Sequence, residues 1–235
     1  MKEIKLTVLL MLVVAQSQGR PVEAKAATPD LDVIVQNMER VQQQNPARSR
    51  AYEVTREYKE FRADNKQPTA KIVAQISYNP HDKNTFKIVQ ASGNAWGEKI
   101  VRNLLEQEAE PAKAGHGKEI SRANYDFAFL RQENFGLHPE YVLHIVPKRR
   151  EKNLLWGEIW VDAMTFRIRR IEGVPAKSPS IWIKDAYITL RFAEVNQMWI
   201  PVSLDSIATV RLLGRYTLAA HYVGPPDTVS ITPTR

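Results

Sequence analysis

The sequence contains no cysteine. This excludes a disulfide scaffold, thiolate catalysis and cysteine-based metal sites, and it leaves no cysteine beside a cleavage site to carry a lipid anchor. The histidines are few and scattered: His81, His116, His138, His144 and His221. No two of them stand four apart on a helix or in an H-x-H pair, so their spacing predicts no metal site. His144, in mid-strand among apolar neighbours, reads as a structural histidine. There is no G-x-S-x-G, no phosphate-binding P-loop and no G-x-G-x-x-G. Glu158 and Asp162 share a strand face, an arrangement read as solvated carboxylates. The sequence therefore argues against an enzyme and implies no cofactor. Beyond the first residues, no stretch is apolar enough to form a transmembrane helix.

The one long apolar run is at the start. Lys2 and Lys5 flank it, and Leu6 to Ala15 has the length of a signal-peptide core, too short to span a bilayer. Val13-Val14-Ala15 and Ala24-Lys25-Ala26 both fit a small-x-small cleavage pattern. The expectation is a signal peptide over 1–26, export to the periplasm and no lipid anchor. Cleavage after Ala15 or Gly19, or an uncleaved anchor, are the alternatives. Residues 27–223 are then expected to form one domain, and 224–235, opening on Gly224-Pro225-Pro226, a flexible tail.

The formal net charge is +7, and losing residues 1–26 removes four bases and two acids, which leaves +5. Most bases alternate with acids. Two clusters stand out, Lys148-Arg149-Arg150 with Lys152, and Arg167, Arg169 and Arg170. On an exported chain such clusters suit anionic head groups better than nucleic acid, so peripheral membrane contact is an expected partner mode and nucleic acid is not. An ordinary solvated basic face is the alternative.

Along the chain, Thr28-Pro29-Asp30 is a helix start, and Leu31, Ile34, Val35, Met38 and Val41 then form one apolar stripe up to Asn45-Pro46. Strand patterns follow at 50–62, 70–78 and 84–90, with short turns between them. Residues 95–108 change to helical period, with Trp96, Ile100, Leu104 and Leu105 on one face. Residues 111–117 tether that helix loosely, so it reads as a lid or as packed core. From Tyr125 onward strands dominate, at 140–147, 154–162, 166–171, 178–192, 202–213 and 215–222. About nine to eleven strands with two or three helices and no βαβ alternation predict a mainly β (α+β) fold. Its expected form is one curved antiparallel sheet, with the N-terminal and inserted helices covering a face.

The stretch 178–192 (SPSIWIKDAYITLRF) alternates so that Trp182, Lys184, Ala186, Ile188, Leu190 and Phe192 share a face. On 154–162, Trp156 and Trp160 share a face with Glu158 and Asp162, opposite Leu155, Ile159 and Val161. A sheet apolar on both faces needs cover on both sides or a partner on one.

The local phrases resemble a known group. Ser77-Tyr78-Asn79-Pro80 followed by Thr85-Phe86-Lys87-Ile88, then Tyr141-Val142-Leu143-His144-Ile145-Val146-Pro147-Lys148, Ile159-Trp160-Val161-Asp162 with Thr165-Phe166, and Met198-Trp199-Ile200-Pro201 are similar to the LolA/LolB-like periplasmic lipoprotein carriers. The nearest match is their lipoprotein-sorting-like branch, over about residues 30–222. The resemblance implies an incomplete β-barrel whose concave apolar side is closed by an N-terminal helix and a lid helix and holds acyl chains. Carriers of this group latch the lid with an arginine inside the cavity. Arg56 and Arg62 lie on early strands, and no motif assigns the role to either. The loops at 148–152 and 173–179 match no known partner contact.

The expected function is non-covalent binding or carriage of a lipid or lipoprotein acyl chain, with envelope transport or acceptor proteins as further partners. Strand parity places the cavity lining at Ile72, Ala74, Ile76, Tyr78, Phe86, Ile88, Ala186, Ile188, Leu190 and Phe192. Trp96, Ile100 and Leu104 face them from the helix, and Lys184 sits at the rim. One bulge would invert this parity. The alternative is an envelope-stress sensor or protein-interaction module on the same fold, with Trp156, Trp160 or Trp199 as contacts.

Overall fold

A computed structural model describes residues 30–63, 65–80, 82–109, 117, 119–136, 138–223 and 230–231. The expected signal peptide, most of the 111–117 tether, His81 and His116 lie outside these residues. So does the expected tail, except Ser230–Ile231, which pairs with Tyr52 and Glu53.

The first helix, α1 (Leu31–Gln43), is capped by Asp30, whose side chain accepts from the Asp32 backbone N–H. Thr28, the expected cap, and Pro29, the expected first helical residue, lie outside the described residues. Its stripe behaves as read: Ile34, Val35 and Met38 are buried. A short 3-10 turn, Pro46–Arg48, follows. Ten strands come next, interrupted by one helix: β1 (Tyr52–Arg62), β2 (Ala70–Tyr78), β3 (Thr85–Gly93), α2 (Ala95–Ala109), β4 (Tyr125–Phe135), β5 (His138–Pro147), β6 (Leu155–Asp162), β7 (Ile168–Pro175), β8 (Ile183–Val195), β9 (Met198–Val210) and β10 (Gly214–Tyr222).

All pair antiparallel in one sheet, in the order β3-β2-β1-β10-β9-β8-β7-β6-β5-β4. The ends of that path, β3 and β4, do not pair with each other, so the sheet is an open, barrel-like curve and the mainly β expectation holds. Bulges between Val73/Ala74, Phe129/Arg131, Trp160/Val161, Ile183/Asp185 and Arg191/Phe192 add the twist that curls it. Pro201, paired with Phe192, stands next to the last of these, at which Val202 has no partner across the ladder.

Two separate cores fill the concave side. Under α1, Ile34, Val35 and Met38 pack with Tyr125, Leu143, Ile145, Ile159 and Ile171 of β4–β7. Under α2, Val101 and Leu105 pack with Val54, Tyr58, Ile72, Ala74 and Ile76 of β1 and β2. Each fully buried aliphatic contributes about 1.5–3 kcal/mol.

The face of α2 corrects the sequence expectation. Gly97, Val101, Leu105 and Ala109 are buried, whereas Ile100 and Leu104 are half-buried and Trp96 is 42 % exposed. The helix is turned by one residue, roughly 100°, and the cause is close approach. A Cβ on Gly97 would lie 2.3 Å from the Ala70 Cβ, so a glycine meets the sheet where the bulkier Trp96 cannot. Asn94 fixes the rotation, accepting from the Gly97 N–H at 2.7 Å and donating to the buried Glu60 carboxylate at 3.2 Å.

Met38→Ala should cost about 2–5 kcal/mol of unfolding free energy in urea titration, because it opens a cavity between α1 and the sheet. Val33→Ala, on the solvent side of the same helix, should change it by under about 0.5 kcal/mol.

Candidate binding site

Ten strands at about 4.8 Å spacing make a face some 43 Å across, and a helix covers only about 10 Å of that width. With α2 on β2 and β3 and α1 on β4, the middle of the sheet is left without an α-helix, and only the short 3-10 turn Pro46–Arg48 reaches β9. There the inward side chains are half-buried: Ile188, Leu190 and Phe192 on β8, and Val202 and Leu204 on β9. They line a cavity of about 960 Å³ between the two cores. Ile168 and Ile171 extend the floor toward β7, and Val41 and Pro46 reach in from above. Exposed charged residues, among them Arg48, Glu119, Lys152 and Glu194, edge the opening.

The cavity has one strongly polar wall. Arg56 donates to both carboxylate oxygens of Glu108, at 3.2 and 3.0 Å, and to the Tyr78 hydroxyl at 2.8 Å. Tyr78 in turn donates to Glu108 at 3.0 Å. Arg56 comes from β1, Tyr78 from β2 and Glu108 from the last turn of α2, so the cluster ties the helix end to the sheet. Burial opposes the Arg56 charge, but Tyr78, Glu108 and Tyr58 around it hold the guanidinium protonated. Burial raises the Tyr78 hydroxyl well above its usual value, with Glu108 adding to the effect. Tyr52, stacked on Tyr78 at 4.8 Å, is pushed up to about 12, again mainly by burial. The wall therefore carries neutral phenols around one ion pair.

The expected lining divides in two. Tyr78, Ile188, Leu190 and Phe192 face the cavity. Ile72, Ala74 and Ile76 lie on the concave side but are sealed beneath α2, with Phe86, Ile88 and Leu104 packed against the same core. Ala186 is half-buried on β8 beyond the cavity wall, Ile100 is half-buried on the side of α2, and Trp96 faces solvent. Lys184 is the unpaired residue of the β8 bulge and is exposed.

Sequence reading missed Arg56 and Glu108 as a pair, along with Trp199, which lines the cavity and donates its indole N–H to the Ile168 carbonyl at 2.7 Å. Inward along β1 run Tyr52, Val54, Arg56, Tyr58 and Glu60, two charges set in an otherwise apolar and aromatic face. That was the available signal, obscured by the many charges on the other face of the strand.

On the convex face, Trp160 is buried by Arg170, 3.7 Å over its ring, and donates to Glu133 at 2.5 Å. Trp156 is 53 % exposed and donates to His144. Of the three tryptophans proposed as partner contacts, Trp156 alone is open, and Trp160 and Trp199 are used internally. Most bases of the two clusters, all but Arg150 and Lys152, face carboxylates. Arg169 pairs with Glu140 and Asp162, Arg170 with Glu133 and Glu172, Arg167 with Glu194, Arg149 with Glu151 and Lys148 with Asp126. Among the described residues, no group of three or more histidine, aspartate or glutamate side chains could hold a metal ion.

No protein-family model and no curated protein matches the sequence. Among solved structures the chain is similar to the LolA superfamily protein NE2245 from Nitrosomonas europaea, at 13% identity and a TM-score of 0.46, covering 88% of this chain and 96% of that one. It is also similar to an outer membrane lipoprotein-sorting protein domain from Vibrio parahaemolyticus, at 14% identity and a TM-score of 0.44, with 81% and 92% covered. MucB is more distant, at 8% identity and a TM-score of 0.29 over 85% and 94%.

Replacing Arg56 with Met leaves Glu108 and Tyr78 half-buried without their donor, which should loosen the end of α2 without unfolding the sheet. Amide exchange should accelerate over residues 103–109 and stay unchanged in β6 and β7. Uniform acceleration would instead make Arg56 an ordinary core support.

Proposed function

We propose that this chain is a periplasmic carrier that binds lipid or lipoprotein acyl chains non-covalently in the cavity between α1 and α2. The observation that supports this reading best is the 960 Å³ space walled by Ile188, Leu190, Phe192, Val202 and Leu204. Its size lies at the upper end of small-molecule sites, about 300–1,000 Å³, and its floor is aliphatic. Burying about fifteen methylenes gains roughly 12 kcal/mol before association costs, enough for tight but reversible binding.

In this reading the Arg56–Glu108–Tyr78 cluster is the latch. It holds the C-terminal end of α2 beside the cavity, and Asn94 with Glu60 holds the N-terminal end as the hinge. Opening the latch widens the space at the β1–β2 wall and lets an acyl chain enter or leave. Binding and release need no bond chemistry, in keeping with the reading of the chain as a non-enzyme. The apolar run at 6–15 serves as the export signal.

A protein-contact role has one observation in its favour, the exposed Trp156 with Val174 directly opposite it on β7. That pair is on the convex face and leaves the cavity unused.

Native mass spectrometry of protein isolated from the cell envelope tests the carrier reading. The expected spectrum shows adducts with the mass of a lipid or an acylated peptide, lost in Leu190→Glu while the strand circular dichroism persists. A clean apo mass for the wild-type chain would overturn it.

A further inference from the structure

The two basic clusters that stand out in the sequence are largely paired off, yet unpaired positive charge does gather at one end of the sheet. Three connections meet there: the β1–β2 turn, the loop before β8 and the β9–β10 turn. The Ala63 N–H donates to the Arg215 carbonyl at 2.7 Å and the Arg211 N–H to the Trp182 carbonyl at 2.8 Å, which locks them side by side. Arg62, Lys66, Lys177, Lys184, Arg211 and Arg215 are all exposed on these segments. None of the six forms an ion pair with a described residue. The same segments hold two acids, Asp64 and Asp185.

The same segments expose large apolar side chains. Leu212 is 97 % exposed, Ile181 80 % and Trp182 56 %, with Leu213 beside them. Leu212 also has φ +67°, a conformation that leucine seldom adopts. At the β8–β9 turn the positive-φ positions are Asn196 and Gln197, the former a residue type suited to them. Leu212 thus gains nothing from burial and is ill-suited to its backbone, so the fold does not account for its presence.

We propose that this tip docks the protein on an anionic lipid surface. Ile181, Trp182, Leu212 and Leu213 enter the interfacial layer, and the surrounding lysines and arginines meet phosphate head groups. Exposed apolar side chains on segments that also carry exposed bases match a bilayer interface, where tryptophan is favoured. A protein partner's peptide would call for a groove here. The cavity wall on β8 begins at Ile188, so the tip lies outside it and the proposal does not depend on the acyl-carrier reading.

Co-sedimentation of the exported protein with vesicles tests it, comparing phosphatidylglycerol–phosphatidylcholine mixtures with phosphatidylcholine alone. The wild-type chain should bind the anionic vesicles and lose binding as salt rises. Ile181→Asp and Arg211→Glu/Arg215→Glu should each lower the partition coefficient by about tenfold or more. Leu212→Asn gives the sharpest arm, because asparagine suits positive φ. It should keep or raise the melting temperature while weakening vesicle binding. Absence of wild-type binding to anionic vesicles would overturn the proposal, as would variants that bind like the wild type. A dimer in analytical ultracentrifugation that Leu212→Asn dissociates, without vesicle binding, would also overturn it and assign the tip to self-association.

Discussion

The interior of this protein is set by a shortfall of cover, since a curved sheet of ten strands presents more apolar concave face than two helices can bury. Each helix seals one flank with its own core, α1 over β4–β7 and α2 over β1 and β2. The strip between them keeps its aliphatic side chains but has no α-helix above it, only the short turn Pro46–Arg48. A cavity there is the direct result of strand number and helix placement, and it needs no special residue to create it. What residues do decide is how firmly its edges are held. Gly97 lets α2 sit close on Ala70, and the Arg56–Glu108–Tyr78 cluster fastens the other end of that helix.

Charge is distributed by the same economy. On the convex face and at the loop corners, arginines are matched to carboxylates across adjacent strands, as in Arg169 with Glu140 and Asp162 and Arg191 with Asp205. An exposed pair such as Arg191 with Asp205 contributes little stability by itself, while Arg169 compensates two buried carboxylates, and both kinds neutralise the surface they cover. The net positive charge of the chain is therefore felt most where bases are left over, and the end of the sheet around Leu212 is one such place. The cavity and that tip occupy different parts of the fold, so loading and docking are separable in principle and in experiment.

Much of this was legible in the sequence because period and parity are local. The stripe Ile34, Val35, Met38 and the alternation Ile188, Leu190, Phe192 each follow from a repeat that short-range geometry imposes. The strand segments along the chain and the change of period at Ala95 were legible for the same reason, whereas the pairing of β1 with β10 was not. The rotation of α2 was not, because stripes at 96/100/104 and 97/101/105 differ by one residue, and a tertiary contact at Gly97 chose between them. Which inward residues border space was equally hidden. Ile72, Ala74 and Ile76 have the same parity as a cavity wall, but α2 lies on them. The partnership of Arg56 with Glu108 joins residues 52 positions apart, beyond the reach of any local pattern.

Photo-crosslinking with a diazirine-bearing fatty acid, followed by peptide mapping, tests the central claim most directly. The account predicts label on the β8 and β9 segments that carry Ile188, Leu190, Phe192, Val202 and Leu204, and none on Ile72–Ile76 or around Trp156. Label confined to the convex face, or spread evenly over the surface, would contradict it.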